Sequence, residues 1–154
     1  MKMKRLFAAS VVLLAIVFAG RDAEAAQCSV STTSVLFGTY DVFVPTPLDS
    51  VGAVVYECNG GAKVIALTIS QGLGGTYTPR KLFRSATEWL GYNLYRDPSR
   101  TVIWGNGTGG TSSYTSTNIP NNRDVSVPVY GRINPGQDVR AGIYGDFLTV
   151  TVNF

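Results

Sequence analysis

From about residue 28 onward, apolar side chains recur at a period of two, in short runs divided by Gly, Pro, Asn and Asp. The clearest run is the last one. Leu148, Val150, Val152 and Phe154 alternate with Thr149, Thr151 and Asn153, so a strand there has one apolar and one polar face. Further strands are predicted over 28–37, 53–58, 64–70, 89–95, 101–104 and 125–133, with the last run extending over 142–154. No long segment after residue 28 combines a helical period with caps. The fold class is therefore all-β, and strands this short and closely spaced point to a sandwich. Residues 45–47 (Pro-Thr-Pro) and 72–75 (Gly-Leu-Gly-Gly) read as turns, and the polar stretch 105–118 reads as a long hairpin connection. Pro128 falls inside a strand run, which predicts an edge or a bulge there. The last strand ends the sequence, and its apolar face needs a partner from earlier in the chain or from elsewhere.

The first 25 residues follow a different logic. Met1-Lys2-Met3-Lys4-Arg5 is a basic head, and residues 6–20 are apolar apart from Ser10. Ala23-Glu24-Ala25 is a small-x-small cleavage motif. This is the pattern of a secretory signal peptide, residues 1–25, cut before Ala26. The apolar run is too short for a bilayer span, which needs roughly 20 residues. Cys28 does not read as a lipidation site, because Gln27 stands where a small residue is needed. The exported domain is then 26–154.

Removing the leader changes the charge. Of 13 basic residues, Lys2, Lys4, Arg5 and Arg21 lie in it, and of 10 acidic residues, Asp22 and Glu24, which leaves a net charge of about +1. No electrostatic case for nucleic acid survives at that charge. Export also bears on the two cysteines, Cys28 and Cys58. In an oxidising compartment a disulfide is the default, and its loop suggests roughly 3–4 kcal/mol of stabilisation. The sequence has no histidine, so Ser-His-Asp and Cys-His machinery is absent and a metal site would have only two soft ligands. The mature carboxylates are Asp41, Asp49, Glu57, Glu88, Asp97, Asp124, Asp138 and Asp146, and no spacing singles out a catalytic pair. The Gly-rich GNGTGG lacks the Lys and helix of a phosphate loop. No enzyme and no cofactor is expected.

Aromatic side chains are the remaining chemistry. Tyr92 and Tyr130 fall on strands and are expected to be structural. Tyr77 and Tyr114 fall in loop-like stretches and are the candidates for surface contact. Asn106-Gly107-Thr108 matches a glycosylation sequon, but in so Gly/Thr-rich a loop it reads as a product of composition.

Taken in order, the mature residues resemble a known family. The pieces are Cys28-Ser29-Val30 with Phe37-Gly38-Thr39-Tyr40, then Pro47-Leu48-Asp49-Ser50 leading to Cys58. Leu90-Gly91-Tyr92-Asn93-Leu94-Tyr95-Arg96-Asp97, Trp104-Gly105 and Val129-Tyr130-Gly131-Arg132-Ile133 follow, and Gly142-Ile143-Tyr144-Gly145-Asp146 leads into the final strand. The chain resembles spore coat protein U domains, the family that includes subunits of archaic chaperone–usher pili. The resemblance implies an incomplete immunoglobulin-like β-sandwich that lacks its final strand. A periplasmic pilus chaperone, and then a neighbouring pilus subunit, would donate the missing strand. An outer-membrane usher would export the subunit to the cell surface.

Two expectations follow. Leu148, Val150, Val152 and Phe154 should line the groove that receives the donated strand. With cleavage before Ala26, only Ala26 and Gln27 precede Cys28, and two extended residues span about 7 Å. That is too short to serve as a donor, so the subunit would accept a strand without giving one, at the fibre tip, where a surface or glycan receptor could be met. A self-folding secreted carbohydrate-binding module and a laterally assembling coat-type protein remain as alternatives.

Overall fold

The computed structural model describes residues 25–154. The expected signal peptide, residues 1–25, lies outside the described residues except for Ala25. No helix forms among the described residues. Eight strands build two sheets: β1 (Gln27–Thr33), β2 (Leu48–Asn59), β3 (Ile65–Ile69), β4 (Arg80–Phe83), β5 (Trp89–Tyr95), β6 (Tyr114–Ser116), β7 (Val125–Ile133) and β8 (Val150–Asn153). The larger sheet runs β1-β2-β7-β5-β4 and the smaller one β6-β3-β8, with every pairing antiparallel.

The core lies between the sheets. Val54, Tyr56 and Cys58 of β2 and Val127, Val129 and Ile133 of β7 alternate inward, facing Ile65, Leu67 and Ile69 of β3. Period-two patterning of this kind is what a two-sheet core demands. At Gly131 a Cβ would lie 2.6 Å from Val35 and 2.7 Å from Phe37, so only glycine lets the segment after β1 pack across the sheet there. Cys28 and Cys58 stand directly opposite each other in the β1–β2 register and form the expected disulfide.

Several boundaries differ from expectation, each for a local reason. Residues 101–104 are not a strand. The Asp97 carboxylate accepts the Thr101 and Val102 amides, closing a turn. Trp104 then buries completely and donates Nε1 to Leu67 O of the opposite sheet at 3.1 Å. Ile103 and Trp104 keep only single bridges, to Tyr95 and Ser112. The run 142–154 is a strand only over Val150–Asn153, and 28–37 ends at Thr33. β4 and β6 are short strands that the sequence pattern did not signal. Pro128 lies in β7, central in strand order, but β5 pairs β7 only from Tyr130 onward. At Pro128 only β2 flanks the strand, so the missing N–H is tolerated as it is at an edge.

Candidate functional site

The two sheets do not close along one side. β1 pairs only with β2, and β8 only with β3, so each leaves an unpaired edge among the described residues. A groove of about 610 Å³ lies between these edges. One wall is the segment 30–35, and the other is the segment 146–150. Its floor is core: Val54, Ile69, Leu82, Tyr92, Leu94 and Val129. In an otherwise alternating sandwich, a continuous apolar floor between two unpaired strand edges is the gap left by one missing strand. Among the described residues the fold is therefore an immunoglobulin-like sandwich that lacks its final strand.

Hydrogen bonds hold the β8 wall in place. Ser70 N donates to Thr149 O at 2.9 Å, and Thr149 N donates to Ser70 Oγ at 2.9 Å, which carries the β3 contact past the end of the ladder. One turn earlier, Asp146 accepts Tyr92 OH at 2.7 Å, Leu73 N at 2.8 Å and Phe147 N at 2.9 Å. Burial pushes the Tyr92 phenol far above its ordinary value, and its bond to Asp146 pushes it the same way. The phenol thus stays a neutral donor, and the corner that launches β8 is tied to the core.

Behind this wall lies a buried cation. Arg80 has no exposed surface. Its guanidinium donates to Ser70 O at 3.1 Å, Asn93 Oδ1 at 2.8 Å and Trp104 O at 2.6 Å, and lies 5.0 Å from the Tyr77 ring centroid. Burial lowers its pKa, yet an arginine stays protonated in proteins, so these acceptors offset the desolvation of a retained charge.

Of the four groove residues named from the sequence, Leu148, Val150 and Val152 pack against the core, and Leu148 and Val150 line the groove itself. Phe154 does not join them. Asn153 opposite Ala66 is the last paired position, and the Phe154 ring beyond it is 56% exposed. Tyr77 and Tyr114 are corrected as surface-contact residues. Tyr77 is buried, donates to Ile69 O and packs on Arg80, because the turn at 72–75 folds its segment back over the sheet end. Tyr114 belongs to β6, half-buried against Trp104 and Tyr56. The exposed aromatics are Phe43, Trp89, Phe147 and Phe154 instead. The β1 half of the groove was missed. Its signal was the alternation of Cys28, Val30 and Thr32, whose inward face the sequence reading never connected to β8.

No group of three or more Cys, Asp or Glu side chains gathers as a metal site among the described residues.

Comparison with known proteins agrees with this architecture. The spore coat protein U domain model matches residues 15–151. Protein U of Myxococcus xanthus is 33% identical over 130 residues, covering 77% of this chain and 70% of that protein. Among solved structures, the fold is similar to a chain of the CsuC–CsuE chaperone–tip adhesion subunit pre-assembly complex from archaic chaperone–usher Csu pili of Acinetobacter baumannii. That match has a TM-score of 0.60 at 24% identity and covers 84% of this chain. It covers 40% of that solved chain, so this chain corresponds to less than half of it. With the family model spanning nearly the whole chain, and the sandwich open where a final strand is missing, the chain belongs to the spore coat protein U domain family.

Proposed function

We propose that the chain is an exported subunit of a chaperone–usher type surface pilus, whose open groove accepts a β-strand. The observation that carries this is the groove of about 610 Å³, floored by core side chains and flanked by the unpaired edges of β1 and β8. A strand entering it gains main-chain hydrogen bonds from both edges, while its alternate side chains fill the floor. Four or five large apolar side chains, at roughly 1.5–3 kcal/mol each, give a gross gain on the order of 6–15 kcal/mol. That rivals the stability of a whole domain, so the chain without a partner is expected to be marginal.

The donor is first a periplasmic chaperone and then a neighbouring subunit, passed on through an outer-membrane usher. The similarity to the chaperone–tip subunit complex supports such partners. The expected signal peptide supports export and display at the cell surface. Cleavage before Ala26 leaves two residues ahead of Cys28, which favours a subunit that receives a strand without giving one, at the tip. Isolation of the chain from the periplasm tests the reading. The expected result is a 1:1 complex with a chaperone whose strand lies between β1 and β8. A chain that is stable, monomeric and cooperatively folded without any partner would count against it and for a self-folding module.

A further inference from the structure

A second concavity lies away from the groove, at the end of the sandwich where β5 begins. Thr87, Glu88, Trp89, Asp138, Arg140 and Tyr144 line a pocket of about 540 Å³, within the size range of small-ligand sites. We propose that this pocket binds a neutral pyranose ring of a glycan, stacked on Trp89.

Its walls are built rather than incidental. β5 extends past the end of β7, and there Gln137 takes over the ladder. Its Nε2 donates to Gly91 O at 2.8 Å and its Oε1 accepts Gly91 N at 2.7 Å. Tyr40 OH accepts Gln137 N at 3.0 Å, which fixes the same loop from the other side. Asp138 and Arg140 are therefore carried on an anchored segment. Tyr144 is held by the paired backbone bonds between Phe83 and Gly145, at 2.7 and 3.0 Å, and by its hydroxyl donating to Arg140 O at 2.8 Å. Glu88 is clamped between Arg84 and Arg140.

Trp89 is 41% exposed, whereas Trp104 is fully buried. The Lys81 ammonium lies 4.5 Å from the Trp89 ring centroid, but Lys81 is not part of the pocket wall. This cation–π contact helps to hold the indole in place. An aromatic face beside fixed carboxylates suits a sugar, whose C–H face is apolar and whose hydroxyls need acceptors. The charge inventory selects the class: Glu88 is neutralised by Arg84 and Arg140, which leaves Asp138 as the carboxylate on the wall without an ion pair among the described residues, so an acidic sugar is disfavoured.

The test titrates the full exported chain, together with whatever strand fills its groove, against methyl glucoside, methyl galactoside, methyl mannoside, N-acetylglucosamine and sialyllactose. The two tryptophans provide an internal control, since only the Trp89 indole signal should shift while Trp104 stays fixed. Trp89→Ala should weaken binding about tenfold or more, and Trp89→Tyr should retain most of it. Asp138→Asn should weaken it several-fold without altering thermal unfolding. Absence of binding to every neutral probe at tens of millimolar, tighter binding of sialyllactose, or undiminished binding by Trp89→Ala overturns the proposal. None of these outcomes touches strand acceptance, because the two sites share no residue.

Discussion

Arg80 and Asp49 show how differently two charges can serve one fold. Arg80 is sealed inside and holds three acceptors from three segments, Ser70 O, Asn93 Oδ1 and Trp104 O. Arg80→Met fills similar space but takes the donor from Ser70 O and Trp104 O, at about 1–3 kcal/mol each, while Asn93 Oδ1 keeps its bond from Leu94 N. We expect it to destabilise the strand-complemented domain by about 3 kcal/mol or more in denaturant titration; a loss below about 1 kcal/mol would show that the network is dispensable. Asp49 lies on the outer face of the larger sheet. It accepts two bonds from Arg132, at 2.7 and 2.8 Å, and lies 3.3 Å from Arg100. The Arg132 hydrogen bond, more than the charge of Arg100, holds its carboxyl below the ordinary value. A carboxyl depressed in the folded state stabilises the fold above its unfolded pKa of about 3.9, and that contribution is lost as pH falls through the folded value. The pair is partly exposed, so the effect is small. Asp49→Asn should lower the melting midpoint by up to about 4 °C near pH 7, and the gap from the wild type should close by about pH 2. A gap that persists at pH 2 would assign the effect to packing instead.

At the scale of the element, the strands legible in the sequence were those whose period-two pattern is set by the core. β2, β3 and β7 bury alternate side chains against the opposite sheet, and β5 is buried on both faces from Leu90 to Leu94, so their apolar runs carried through. β4 and β6 were missed because they are short and their side chains answer to tertiary partners: Arg80 to buried carbonyls, Tyr114 to Trp104. Tyr77 was misjudged for the same reason, since Arg80 beneath it is held by Asn93 Oδ1 and Trp104 O, which are distant in sequence. Half of the groove was legible, through Leu148 and Val150. The β1 half was not, because a groove is a relation between two strands more than 100 residues apart. The alternation in β8 yields a paired test. Val150 faces the groove, while Thr151 is exposed on the other face. Val150→Asp would bury an unpaired charge in the donor contact. It should abolish chaperone co-purification and sharply reduce periplasmic yield, while Thr151→Asp keeps both. Equal behaviour of the two variants would refute the groove assignment.

Among the described residues the sandwich has one long side left open, so under the proposed strand acceptance its folding and its assembly would be one process. If the exported domain begins at Ala26, β1 starts at the second residue, and Cys28 is tied at once to Cys58. The N-terminal end of β1 is then already committed to the domain's own sheet, with only Ala26, about 3.5 Å of extended chain, ahead of it. A strand able to fill a neighbour's groove needs an extended segment several times longer, since the groove wall on the β1 side alone covers residues 30–35. Under the proposed function, such a chain would end a fibre rather than extend it. Immunogold labelling of intact fibres should therefore mark one end and leave the shaft bare; regular labelling along the shaft would exclude the tip. Adding a donor segment of about 12 residues, with alternating apolar side chains, between Ala26 and Gln27 should supply what is missing. The modified subunit should polymerise with itself through its own groove, and Val150→Asp in the same chain should stop it. Polymerisation of the unmodified exported chain alone would show that its donor strand comes from elsewhere in the sequence and would remove the argument for a terminal position.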